Sequence, residues 1–199
     1  MPGDADRGSD PELPNLAPEV VAGYRSAPSN VVAEVLAGEL SLLPRPRLGH
    51  AAIATGLAGE LGPPFRRGRG GPGGWVILFE PDLWLGAHPD IVVPDLAGWR
   101  RDRVPGAFDE QAHATLAPDW VCEVLSPSTE GQDRGPKLDV YHREGVGRVW
   151  LMSPAMRSLE VFRRADIGWL LLAVHRGAAP VRAEPFVAVA LDLAGLWAV

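Results

Sequence analysis

Asp119-Trp-Val-Cys-Glu-Val-Leu-Ser-Pro-Ser-Thr-Glu-Gly-Gln-Asp-Arg-Gly-Pro-Lys-Leu-Asp-Val-Tyr-His-Arg-Glu-Gly145 is the stretch whose reading decides the fold. The apolar run Trp120 to Leu125 reads as a strand. Alternation sends Asp119, Val121, Glu123 and Leu125 to one face and Trp120, Cys122 and Val124 to the other. Ser126-Pro-Ser-Thr-Glu130 reads as a turn. Gly135-Pro136 marks a helix start, with proline at the first helical position, and Gly145 ends the helix. Lys137 then falls in the first turn of that helix, and Tyr141 lies one turn later on the same face.

Two residues in the stretch are anomalous. Glu123 interrupts an apolar strand, and a buried carboxylate needs a cation: a metal, Lys137, an arginine, or a purely structural salt bridge. Lys137 is the single lysine among 19 basic residues; the other 18 are arginine. Such a bias converts lysine to arginine wherever either serves. The surviving lysine marks a position that needs a compact ammonium with a movable pKa rather than a flat, permanently charged fork.

Working outward, residues 1–29 are rich in Pro, Gly, Asp and Ser and predict a mobile tail, with a single domain over 30–199. Ser29-Asn30 offers helix caps before Val31-Val-Ala-Glu-Val-Leu-Ala37, so a short helix is expected there, then a strand over Glu39–Leu43. Ile53, Leu57 and Leu61 recur every fourth residue and predict a helix over 48–61, with His50 near its start as a ligand, a phosphate contact or a surface cap. Residues 62–74 read as a Gly/Pro loop. Trp75–Phe79 is a strand, and so is Asp90–Arg100, where Pro94-Asp95 forces a bend, bulge or strand end. A carboxylate at such an irregularity is well placed to be aimed into a site. Residues 101–118 form a long loop. Strands follow over Arg148–Ser153, Leu159–Arg163, Gly168–His175 and from Pro185, before a terminal turn of helix.

Composition bounds the function. The chain has 199 residues, 46% of them apolar, and a net charge of −6, which excludes broad nonspecific nucleic-acid binding but not a local basic groove. Arg66, Arg67, Arg69, Arg100, Arg101 and Arg103 are the candidates for such a groove. No run approaches the ~18–20 apolar residues that cross a bilayer, and the first ten residues lack a signal-peptide pattern, so a cytoplasmic protein without membrane contact is expected. The lone Cys122 predicts a buried reduced thiol. One cysteine and five scattered histidines give no zinc spacing. No Gly-x-Ser-x-Gly turn supports a serine hydrolase around Ser126, Ser128 and His142.

Asp95, Glu123 and Lys137 therefore stand out together: two carboxylates to hold a hard cation such as Mg²⁺ or Mn²⁺ and an ammonium to assist attack on a phosphodiester. The runs Pro94-Asp95, Glu123-Val-Leu-Ser-Pro-Ser-Thr129 and Asp133-Arg-Gly-Pro-Lys-Leu138 with Tyr141 resemble the Uma2 (DUF820) family, a branch of the PD-(D/E)XK nuclease superfamily. The resemblance extends from about Val32 to the C-terminus. It implies an α/β fold with a restriction-endonuclease-like core, a central mixed β-sheet flanked by helices. It also implies a metal-dependent endonuclease acting on DNA, with Asp95 and Glu123 as metal ligands, and a possible homodimer. The superfamily's usual lysine position is Leu125 here; the resemblance implies that Lys137 supplies the ammonium from the helix. Asp82, not separable from Glu80 at this stage, and Tyr141 are further candidates for the pocket. The alternative left open by the acidic charge and Leu125 is a catalytically silent nuclease-fold binding or assembly protein.

Overall fold

The computed structural model describes residue 13 and residues 15–198. Two sheets organise the chain. The larger has six strands in the order β10-β9-β8-β7-β6-β3, built from β3 (Trp75–Phe79), β6 (Leu96–Arg100), β7 (Trp120–Val124), β8 (Arg148–Ser153), β9 (Ser158–Arg164) and β10 (Trp169–Arg176). Only the β7–β8 pair is parallel, so the sheet is mixed. A parallel pair needs a crossover, and here α3 (Glu130–Asp133) and α4 (Pro136–Arg143) supply it. The smaller sheet has the order β2-β1-β5-β4, from β1 (Val31–Leu36), β2 (Glu39–Pro44), β4 (Leu83–Leu85) and β5 (Asp90–Val92).

The large sheet is covered on both faces. On one, α2 (Leu48–Leu61) and α5 (Leu193–Trp197) pack with Trp75, Trp120, Trp150 and Phe186. On the other, Val140 and Tyr141 of α4 meet Leu83, Val92, Val121 and Leu151. Every residue of β7 is buried, with Trp120, Cys122 and Val124 in the first layer and Val121 in the second, as alternation predicts. Gly98 of β6 is required here: a Cβ would stand 3.0 Å from the Trp120 ring and 3.3 Å from that of Trp75. Cys122 is a free, fully buried thiol whose pKa burial pushes well above its ordinary value.

Four expectations are corrected. Val31–Leu36 is a strand, not a helix. It pairs with β2 along its whole length across a turn in which Ala37 and Gly38 both have positive φ, 52° and 80°, the geometry that closes tight hairpins; β-branched Val31, Val32 and Val35 suit that pairing. Asp90–Arg100 is two strands in different sheets: Val93-Pro94-Asp95 carries the chain from β5 to β6, because proline has no N–H for the ladder. The region from Pro185 forms no strand, only a bridge from Leu191 back to Val181, while Phe186 and Leu191 are buried in the core. Of the expected tail, 1–12 and 14 lie outside the described residues, but Pro18–Arg25 is helix α1, with Val20, Val21 and Tyr24 against Leu40 and Trp84.

Candidate active site

The site forms where the sheets meet. Asp95 stands at the junction that β5 and β6 share, Glu123 near the end of the central strand β7, and Lys137 in the first turn of α4. All three are buried, at 8%, 2% and 3% exposure. The Lys137 ammonium lies 2.9 Å from Glu123 Oε1, 3.2 Å from Glu34 Oε1 and 3.4 Å from Asp133 Oδ1. Tyr141 donates its hydroxyl to the same Glu123 Oε1 at 2.6 Å. Burial holds this phenol well above its ordinary pKa, so it keeps its proton and remains a donor.

Asp95 is fixed differently. Its Oδ2 accepts the Val124 N–H at 2.7 Å, and its Oδ1 lies 2.5 Å from His50 Nε2. A ring carrying its proton on Nε2 can donate to an ionised Asp95 there. The Asp95 N–H approaches Glu123 Oε2 at 3.4 Å, tying the two acids through the backbone. No ion pair links Lys137 to Asp95 among the described residues; the ammonium belongs to the Glu123 side of the cluster.

Sequence reasoning missed Glu34, Asp133 and Gln132. Glu34 on β1 is fully buried and accepts from the Val93 N–H at 2.8 Å and the Gln132 side-chain amide at 2.5 Å, besides Lys137. A signal existed, since Glu34 interrupts an apolar run just as Glu123 does. Glu80 and Asp82 now separate. Glu80 adopts φ 42°, disfavoured for a residue with a side chain, and lines the acid cavity. Asp82 does not line the acid cavity but borders two neighbouring recesses, of about 250 and 230 Å³, which Glu80 also borders.

The electrostatics are one-sided. Glu34, Glu123 and Asp133 converge on a single ammonium, and Asp95 lies beside them against His50. Burial opposes the charge on Lys137, but Glu123 and Glu34 more than offset this and hold its pKa well above the ordinary value. Burial pushes the Glu123 and Asp133 carboxyls up, Lys137 only partly countering it. The cluster is short of positive charge, which fits a divalent cation. No group of three or more His, Cys, Asp or Glu side chains is arranged as a complete metal site among the described residues. The carboxylate oxygens present are of the hard kind that divalent cations take.

The basic residues singled out from the sequence lie elsewhere. Arg100 stacks on Trp75 at 4.4 Å, Arg101 donates to the Trp75 carbonyl and Arg103 pairs with Asp119 at 2.6 Å. They gather at the end of β6 opposite Asp95, roughly 16 Å away at the rise of a strand. Arg66, Arg67 and Arg69 follow the end of α2 farthest from His50, about 20 Å along the helix.

The model of Uma2, described as "Putative restriction endonuclease", matches residues 12–194. The chain belongs to the Uma2 family. A solved Uma2-type fold agrees: a putative nuclease belonging to DUF820 from Anabaena variabilis ATCC 29413 superposes with a TM-score of 0.69 at 20% identity, over 83% of this chain and 89% of that one. At this identity the likeness speaks for the fold. No curated protein matches the chain. Among the described residues of this Uma2 member, no helix is long and apolar enough to cross a membrane.

Proposed function

We propose that this Uma2 protein is a metal-dependent endonuclease hydrolysing phosphodiester bonds of DNA. One observation carries the reading: the two oxygens of Glu123 are unequal. Oε1 is held by Lys137 and Tyr141, whereas Oε2 has only the 3.4 Å contact with the Asp95 N–H. Both acids line one cavity of about 50 Å³, bordered also by His50, Glu80 and Lys137. Glu123 Oε2 and the spare lone pairs of Asp95 would hold Mg²⁺ or Mn²⁺, which when bound lowers the pKa of a bound water and polarises a phosphoryl oxygen.

The chain's own residues do the rest. Tyr141 and Lys137 fix the Glu123 carboxylate in one orientation. His50 and the Val124 N–H do the same for Asp95. The Lys137 ammonium offsets negative charge that grows on the phosphate as the bond breaks. Glu34 and Asp133 keep that ammonium charged and directed at Glu123. The sheet junction places all of this in a buried pocket, where each charge acts through little water.

Purified protein with circular single-stranded DNA and, in parallel, supercoiled plasmid, each with Mg²⁺ or Mn²⁺, tests the proposal. Cleavage by the wild type and its loss in Glu123→Ala support it; equal cleavage by both marks a contaminant and removes it. The tight engagement of both Asp95 oxygens favours a second reading, a binding or assembly protein without catalysis. Calorimetric titration with Mn²⁺ separates the two: binding that vanishes in Asp95→Ala rejects the silent reading.

A further inference from the structure

The acids are too deeply buried for a phosphodiester to reach them across an open surface. The substrate must come down a path, and one cleft provides it. It has a volume of about 690 Å³ and adjoins the acid cavity, the two sharing Pro44, Pro46, His50 and Thr129. Its walls come from the segment before α2, the turn after β7, the β8–β9 turn and α5.

The cleft's charge is opposite to that of the cavity beneath it. Arg45, Arg47 and Arg157 line it, and no acidic residue does, in a chain of net charge −6. Arg47 and Arg157 have no ion-pair partner among the described residues, and Arg45 only a 3.5 Å contact with Glu80. Between the arginines, apolar Pro46, Ile53, Leu125 and the half-buried Trp197 share the lining with the hydroxyls of Ser126, Ser128 and Thr129. Positive charge along a groove with apolar and aromatic surface within it is the combination that takes a strand whose bases are unpaired: arginine meets phosphate and the ring meets a base face. A duplex keeps its bases inward and has no use for an apolar floor. Its backbone would also be held at the rim by the second strand.

We infer that this cleft is the binding site for single-stranded DNA, with Arg47 and Arg157 as phosphate contacts and Trp197 as a base platform. The cleft delivers the scissile phosphate past His50 to Asp95 and Glu123. The inference rests on the nuclease reading for the identity of the strand, but its binding step stands apart from catalysis.

The test is fluorescence anisotropy with a 5′-labelled 15-nucleotide strand and with the blunt duplex of the same sequence, in EDTA so that no cleavage occurs. Wild type is expected to bind the single strand more tightly than the duplex. Arg47→Ala combined with Arg157→Asn should weaken single-strand binding by about tenfold and flatten the log–log salt slope by about 1.4, roughly 0.7 per lost phosphate contact. Asparagine is used because Arg157 has φ 44°, a conformation it tolerates better than alanine does. Trp197→Phe, which keeps a ring, should retain most binding, and Trp197→Leu should lose several-fold. Arg66→Ala with Arg69→Ala, at the far end of α2, should change nothing. Duplex bound as tightly as the single strand overturns the inference. So does unchanged affinity in the Arg47/Arg157 double variant, given an unaltered thermal melt. Strand binding in EDTA, with no cleavage of the same strand once Mg²⁺ or Mn²⁺ replaces the chelator, would overturn the nuclease reading and leave the cleft assignment standing.

Discussion

Val32-Ala-Glu-Val-Leu36 and Val121-Cys-Glu-Val-Leu125 are nearly the same pentapeptide, and the structure uses them for different ends. Both are strand segments with a buried glutamate, Glu34 at 0% and Glu123 at 2% exposure, and both glutamates reach the one lysine. Glu34 sits in the small sheet with fixed donors on both oxygens, the Val93 N–H and Lys137 on Oε1 and Gln132 on Oε2. Glu123 sits in the centre of the large sheet with both strong donors on one oxygen. The first is an anchor and the second has a free hand. Local sequence decides that an acid is buried in a strand; its tertiary neighbours decide whether that acid has capacity left for a ligand.

Substitution should break the pair apart. Glu123→Gln is expected to lower metal-dependent cleavage by about a thousandfold or more, since an amide cannot replace the carboxylate proposed to hold the metal. It should leave the thermal melt no lower than wild type, because it removes one of several carboxylates crowded about one ammonium. A melt lowered along with the activity would make Glu123 a second anchor and dissolve the contrast. Lys137 is the hinge of the comparison. Lys137→Met leaves the buried acids without their cation and should cost about 3–5 kcal/mol by chemical denaturation. Lys137→Arg should keep the fold yet lose about a hundredfold in cleavage, because the flat fork cannot sit as a point charge among three carboxylates. Retained activity in Lys137→Arg would reduce Lys137 to a structural ion pair.

Much of this was legible in the chain itself. The run Trp120–Leu125, the Gly135-Pro136 helix start and the solitary lysine point to the buried Glu123–Lys137 pair without any neighbour being known. The Pro94-Asp95 irregularity marks where β5 ends and β6 begins. Glu34 was hidden because six residues, Val-Val-Ala-Glu-Val-Leu, are too few for periodicity to tell helix from strand; the pairing with β2 decides it. The arginines misled for a related reason. Arg66–Arg69 and Arg100–Arg103 are clusters in sequence, set apart from the acids by the length of a strand or a helix. Arg45, Arg47 and Arg157 border the cleft from two distant segments, and only the fold brings those together.

A smaller effect is expected at the anchor. In Glu34→Gln, Lys137 keeps Glu123 and Asp133, so the ammonium is not orphaned. The loss is a charge-assisted contact and one poorly matched amide facing Gln132, worth about 1–3 kcal/mol in the denaturation midpoint. Cleavage should fall by about tenfold, through an ammonium less well directed at Glu123, with Mn²⁺ affinity by calorimetry unchanged. Lost Mn²⁺ binding in Glu34→Gln would show that Glu34 holds the metal too, and the two glutamates would then do the same work.

Glu160 supplies the exposed limit of the comparison, a third glutamate on the same sheet gripped by a cation but in contact with water. Arg134 donates to both of its oxygens, at 2.9 and 2.6 Å. The Arg134 hydrogen bonds hold the Glu160 carboxyl below its ordinary pKa, the reverse of what burial does to Glu123. The sign follows from linkage. A depressed folded-state pKa adds stability that is complete above the unfolded value of about 4.5 and disappears as pH falls through the lower folded value. Solvent screening limits the gain to about 0.2–1 kcal/mol. Glu160→Gln should therefore lower stability slightly at pH 7, and its difference from wild type should shrink steadily as pH falls below about 4.5 in urea melts. A difference that grows on acidification would mean that the carboxyl is strained rather than stabilised by Arg134, and that contact with water does not distinguish Glu160 from the buried pair.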